Sequence, residues 1–153
     1  MWFWIILAVD QLVKFMIEKT DAYVPIIKDV FNIEYVQNTG GIYGMMQGKN
    51  SLFAAISIVI LVMILFYAYK DREKSKAKFI LWQCVIAGGL SNVLDRVFRG
   101  YVVDFIQLKL FSIFDFGIFN LSDACIVLGV IAIILLELKE IVNESNRSKS
   151  DGK

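Results

Sequence analysis

The chain contains no histidine. That absence excludes Ser-His-Asp and Cys-His nucleophilic arrangements and removes the commonest zinc ligand. Acid–base chemistry near neutral pH is left to carboxylates, lysine, tyrosine or cysteine. Cysteine is scarce too. Cys84 and Cys125 fall in different apolar segments at different expected depths, which argues against a disulfide and for small packing residues. Net charge is only +1, so nothing in the charge balance points to a nucleic-acid partner. Internal repeats and low-complexity tracts are missing. No positive stretch precedes Trp2 and no small-residue cleavage pattern follows it, so the first segment is expected to be a retained span rather than a signal peptide.

What is abundant is apolar side chain. The hydrophobic fraction is 58%, in a chain of 153 residues. Soluble globular chains hold roughly 45–50%. A single domain this small (residues 1–153) cannot hide that excess in its own core, so lipid is the expected solvent. Four apolar stretches follow, near residues 2–17, 51–69, 79–95 and 119–137. The second runs nineteen residues without a charge, enough to cross a bilayer core. The first is short and interrupted by Asp10 and Lys14.

The connections set the orientation. Residues 70–78 read KDREKSKAK, with five Lys/Arg in nine residues, and short basic loops stay in the cytoplasm. The connections 18–50 and 95–118 carry three Lys/Arg each over longer stretches and are expected outside. Both termini then lie inside, with residues 139–153 a loose polar tail. Residues 31–37 (FNIEYVQ) partly alternate, Phe31, Ile33 and Tyr35 against Asn32 and Glu34, which predicts a half-buried strand. Gly40, Gly41 and Gly44 then supply turns or close approach. Residues 101–118, rich in aromatic and β-branched side chains, suit an interfacial segment lying on the membrane. The fold class is therefore a mainly α membrane protein with four transmembrane helices and a small outer β element.

An ionisable residue inside a spanning segment costs roughly 2.5–3.5 kcal/mol on insertion scales unless it is paired or faces a wet cavity. Here such residues converge. Asn92, Asp95 and Arg96 lie at the outer end of the third span, Asn120 and Asp123 at the outer end of the fourth, and Asp104 between them. Asp10 and Lys14 lie on the first. Asn92, Asp95 and Arg96 stand at i, i+3 and i+4 and share a helix face, as do Asn120 and Asp123. Each set places an amide one turn from a carboxylate. Bland roles are open for most. Asp10–Lys14 suits an ion pair orienting the first helix, and Asp95–Arg96 an interfacial anchor. Asn120 suits a helix cap, and Gly88 and Gly89 suit close helix packing. Asp123, an acid in an apolar run with no basic neighbour, is hardest to dismiss. Asp104, flanked by Val102, Val103, Phe105 and Ile106, is next, and Asp115 between Phe114 and Phe116 resembles it locally. Pattern alone does not select a pair.

Five runs resemble the motifs of the bacterial lipoprotein signal peptidases, or signal peptidase II. They are Asp10-Gln11-Leu12-Val13-Lys14, Asn38-Thr39-Gly40-Gly41, Ser91-Asn92-Val93-Leu94-Asp95-Arg96, Val102-Val103-Asp104-Phe105-Ile106 and Asn120-Leu121-Ser122-Asp123, in the family's order. The resemblance covers the chain to about residue 136. It implies an aspartyl endopeptidase of the bacterial cytoplasmic membrane, its site near the outer face. The enzyme would remove the signal peptide just before a cysteine carrying a diacylglyceryl group. Asp104 and Asp123 carry over as the catalytic dyad. Asn92, Asp95, Arg96 and Asn120 carry over as supporting or substrate-positioning residues, and Asp10, Lys14 and Asn38 mainly as structural or binding ones. An outer β-cradle is implied around residues 31–37. No cofactor or metal is expected, and the partners are the prolipoprotein and membrane lipid, with the enzyme a monomer. Three places depart from the family pattern: Ser122 stands for a usual Ala, Ser91 for a usual Gly, and Gly41-Ile42-Tyr43 for an Ala-Ala-aromatic run. The rival class is a small proton-coupled transporter or channel, which would spread its acids through the membrane depth. A non-catalytic assembly subunit, in which both aspartates tolerate Asn, is the third.

Overall fold

The structure is a computed structural model, and it describes residues 1–40, 48–72, 75–110 and 114–151. Among the described residues there are four helices: α1 (Trp2–Thr20), α2 (Asn50–Asp71), α3 (Lys76–Phe98) and α4 (Leu121–Asp151). Four strands lie between them: β1 (Tyr23–Ile27), β2 (Phe31–Asn38), β3 (Val102–Leu110) and β4 (Phe114–Phe119). They form one antiparallel sheet in the order β1-β2-β3-β4. The two strand pairs are far apart in sequence. Their junction is the β2–β3 pairing, which places Val36 opposite Asp104 and Asn38 opposite Val102.

The helices are inside-out relative to a water-soluble bundle. On α2 the exposed side chains include Ile58, Val59, Val62, Phe66 and Tyr67, while the buried residue is Asp71. Such a face is stable only where the surroundings are apolar. Three helices, α2, α3 and α4, are long and apolar enough to cross a membrane. α1 is long enough, but Asp10, Lys14, Glu18 and Lys19 leave it too charged to qualify by composition. The charges at Asp10 and Lys14 are fully buried, whereas Trp4, Val9, Leu12 and Met16 are exposed.

α3 is the central helix and packs on α1, α2 and α4. Its composition explains this. A Cβ on Gly88 would lie 2.6 Å from the backbone oxygen of Ser122, so glycine lets α4 approach to contact. Gly89 performs a milder version of the same role against Leu61 of α2. α3 ends where Arg99 N–H bonds Asp95 O at 2.8 Å and Gly100 takes φ +84°, a left-handed turn suited to glycine that sends the chain into β3.

Several expectations are corrected. The stretch read as an interfacial segment supplies two strands, β3 and β4, in keeping with its β-branched and aromatic composition. The described part of the tail is helical, since α4 continues as one helix to Asp151. On β2 the deepest side chain is Asn32 rather than Phe31, Ile33 or Tyr35, since its amide donates to Gln107 Oε1 across the sheet at 2.8 Å. β1 was not anticipated. Pro25 argues against an interior strand, but this is an edge strand, where proline is tolerated. Gly41, Gly44 and the Gly41–Tyr43 departure lie outside the described residues. Both cysteines are free thiols.

Candidate active site

The polar residues singled out above meet at one end of the bundle. Lys14 is at its centre, fully buried, and its three donors have three acceptors. They are Asp10 Oδ2 at 2.9 Å, Asp95 Oδ2 at 2.8 Å and Asn92 Oδ1 at 2.9 Å. A buried ammonium demands such compensation, because stranding it is far costlier than building the pair. Asp10 also reaches α4, where its Oδ1 accepts from Ser122 N–H at 2.9 Å. Its Oδ2 takes the Ser91 hydroxyl at 2.6 Å. The serine at position 91 is therefore part of the network rather than a packing change. Ser122 Oγ is buried and has no partner among the described residues.

Lys14 fixes which way Asn92 points. With its oxygen on the ammonium, the Asn92 amide nitrogen donates to Asp123 Oδ1 at 2.7 Å. Asp123 Oδ2 accepts from Asn120 N–H at 3.2 Å, and Asn120 Oδ1 accepts from Asp123 N–H at 2.9 Å. This reciprocal pair is a capping box at the start of α4. The Asn120 side-chain nitrogen then turns to the other acid, donating to Asp104 Oδ1 at 2.8 Å, with a longer bond to Asn92 Oδ1 at 3.2 Å. Asp104 Oδ2 accepts from Asn38 Nδ2 of β2 at 2.8 Å. One residue, Asn120, thus bonds both aspartates, through its backbone on one side and its side chain on the other.

Each of the four carboxylate oxygens accepts one of these bonds. An ionised carboxylate has about four acceptor positions, so each acid retains capacity for water or substrate. Asp104 is buried, 2% exposed, while Asp123 is half-buried. Burial first, and then the neighbouring Asp123 charge, push the Asp104 carboxyl up to about 6. The Asn38 and Asn120 bonds and the Lys14 charge pull the other way.

Arg96 lies within electrostatic reach of Asp123, Asp104 and Asp95. Among the described residues it makes no ion pair with them. Its Nη1 bonds Asn92 O at 3.4 Å and its Nε is buried without a partner. Asp95 is not at an interface but wholly buried, so the reading of Asp95–Arg96 as an interfacial anchor fails for the acid. Asp95 pairs instead with Lys14, Gln11 and Arg99. Asp115 sits on β4 opposite Lys109 in register.

Gln11, Arg99, Glu18 and Tyr101 were missed by sequence reasoning. Arg99 carried a usable signal, standing four residues after Asp95 on the same helix face. Gln11 carried none, because its partner Ser91 is 80 residues away.

A family model described as Signal peptidase (SPase) II matches residues 2–139. Relatives named lipoprotein signal peptidase include one from Clostridium acetobutylicum, 40% identical, covering 85% of this chain and 80% of the relative. Another, from Halothermothrix orenii, is 36% identical over 86% of this chain and 88% of the relative. Among solved structures, one described as a bacterial membrane enzyme superposes with a TM-score of 0.82 at 33% identity. It covers 93% of this chain and 88% of that one.

Proposed function

The chain belongs to the signal peptidase II family, and on that premise we propose that Asp104 and Asp123 are the catalytic pair of an aspartyl endopeptidase. It is a multi-pass membrane peptidase that removes signal peptides from prolipoproteins. The observation that carries the catalytic reading is the meeting of two carboxylates from different elements around the single residue Asn120.

The chemistry follows from a shared proton. We assign it to Asp104, the less exposed of the two acids. Asp123, ionised and the more exposed of the two, takes a proton from water as the water oxygen attacks the scissile carbonyl carbon. Asp104 donates to the carbonyl oxygen, and the tetrahedral intermediate collapses as the leaving amine is protonated. The amides of Asn38, Asn92 and Asn120 fix the acids. Arg96, whose Nε has no partner among the described residues, would orient the substrate backbone.

In this reading α1 is the fourth span. Its charges face α3 and its apolar side chains face outward, as lipid requires. The basic loop after α2 sets both termini inside and the site near the outer face of the bacterial cytoplasmic membrane. There a signal helix stays in lipid while the bond before the diacylglyceryl cysteine meets water. The enzyme acts as a monomer. The transporter or channel reading has no observation in its favour, since the acids around Lys14 gather at one end of the bundle.

The test is incubation of the purified protein with a prolipoprotein bearing the diacylglyceryl cysteine, beside the same chain unmodified. Release of the signal peptide from the modified chain alone is expected. Equal cleavage of both, or of neither, contradicts the proposed substrate.

A further inference from the structure

Asp95 joins the supports of both aspartates. Its Oδ2 accepts from Lys14 Nζ at 2.8 Å and from the Val103 backbone N–H at 3.3 Å. The first contact continues through Asn92 to Asp123. The second fixes β3 at the residue immediately before Asp104. Its Oδ1 accepts from Gln11 Nε2 at 2.9 Å and from the Arg99 guanidinium.

Arg99 does more than pair. Its Nη1 also donates to Gln11 Oε1 at 2.8 Å, which holds that amide with its nitrogen toward Asp95 and the Ser91 hydroxyl (2.7 Å). Its Nε bonds Glu18 Oε2 at 3.2 Å, and Glu18 in turn accepts the Tyr101 hydroxyl. Arg99 therefore braces the buried carboxylate from the side opposite Lys14. Without it, Asp95 would keep Lys14 as its only cationic partner and draw the ammonium away from Asn92. That contact orients the amide held against Asp123. We propose that Arg99 is a positioning residue for both Asp104 and Asp123, acting through the Asp95 carboxylate. The proposal rests on those two acids being the catalytic pair.

The test uses the full chain in detergent or nanodiscs with a diacylglyceryl-modified prolipoprotein. Arg99→Met is expected to lower kcat about 10- to 100-fold with KM changed by less than about two-fold, the pattern of misplaced catalytic groups. The alkaline limb of the pH–rate profile should also move upward. The groups facing Asp104 are Asp123, Lys14 and Arg96; Arg99 is not among them and acts on the limb only through Asp95 and Lys14, because an ammonium drawn off toward Asp95 lowers the Asp104 value less. A purely structural role would reduce the amount of active enzyme without moving that limb. Arg99→Lys, which keeps one donor on Asp95, should recover part of the rate. A folded Arg99→Met protein with wild-type kcat and limb overturns the proposal. If Arg99→Met does not accumulate, Arg99→Lys decides: a kcat loss of about three-fold or more at constant KM supports it, and wild-type kcat overturns it. Asp104→Asn and Asp123→Asn in the same assay keep the two claims apart. Activity in either sinks the dyad. Inactivity in both with a wild-type Arg99→Met sinks only the role of Arg99.

Discussion

Two lysines, one at each end of the bundle, are equally buried and differently employed. Lys14 and Lys78 are each fully buried and each lies between two carboxylates. Around Lys14, both carboxylates are themselves buried and bond onward to Ser122, Ser91, Val103 and Arg99. Around Lys78, Glu137 and Glu140 are 41% and 47% exposed, and the ammonium links α3 to α4. Burial of a charge therefore does not mark the site. What marks it is whether the acceptors are themselves committed to holding something else in place.

That contrast can be broken by substitution. Lys14→Met strands Asp10 in the interior and leaves Asp95 with Arg99 alone, a loss of about 3–5 kcal/mol, and frees Asn92, so cleavage should disappear. Thermal unfolding in detergent and the cleavage assay read both effects. Gly88→Ala places a methyl 2.6 Å from Ser122 O and pushes on the first turn of α4, which carries Asp123. The expected cost is about 1–3 kcal/mol with reduced kcat, measured by the same pair of assays. Lys78→Met should cost less than about 1 kcal/mol, because its two glutamates reach solvent, and it should leave kcat unchanged. A large loss of activity in Lys78→Met would erase the distinction between the two ends.

The site also predicts a pH signature that the opposite end lacks. In the proposed mechanism Asp104 must be protonated to donate, and burial pushes its carboxyl up to about 6, above that of an ordinary carboxyl. The rate kcat/KM should therefore fall as pH rises through this region, by about ten-fold per unit beyond it. Asn38→Ala removes a bond that favours the ionised form, so the limb should move to higher pH. No such shift is expected from Glu137→Gln.

The sequence was most legible where chemistry conflicts with solvent. Asp10, Lys14, Asn92, Asp95 and Asp123 stood out because charge and amide do not belong in apolar runs, and they do gather. Asp104 and Asn38 were less conspicuous, because their convergence depends on the β2–β3 register, a pairing between residues 66 apart. The strands around Asp104 were misread since aromatic and β-branched composition serves an interface and a sheet alike. The length of α4 was missed because its polar end reads as solvated coil when viewed alone. Its root is held by Lys78 at Glu137 and Glu140, contacts a linear reading does not contain. The four-span expectation stands in three helices by composition. α1 is the exception because its polar face is turned inward.

Cleavage of a diacylglyceryl-modified prolipoprotein by purified Asp104→Asn and Asp123→Asn, each with an unfolding curve recorded alongside, addresses the central claim most directly. Each variant should be folded and reduced in rate by at least about 10³-fold, since an amide neither takes the proton from water nor gives one to the carbonyl. Near-normal turnover by either folded variant would contradict the assignment of these two acids as the catalytic pair.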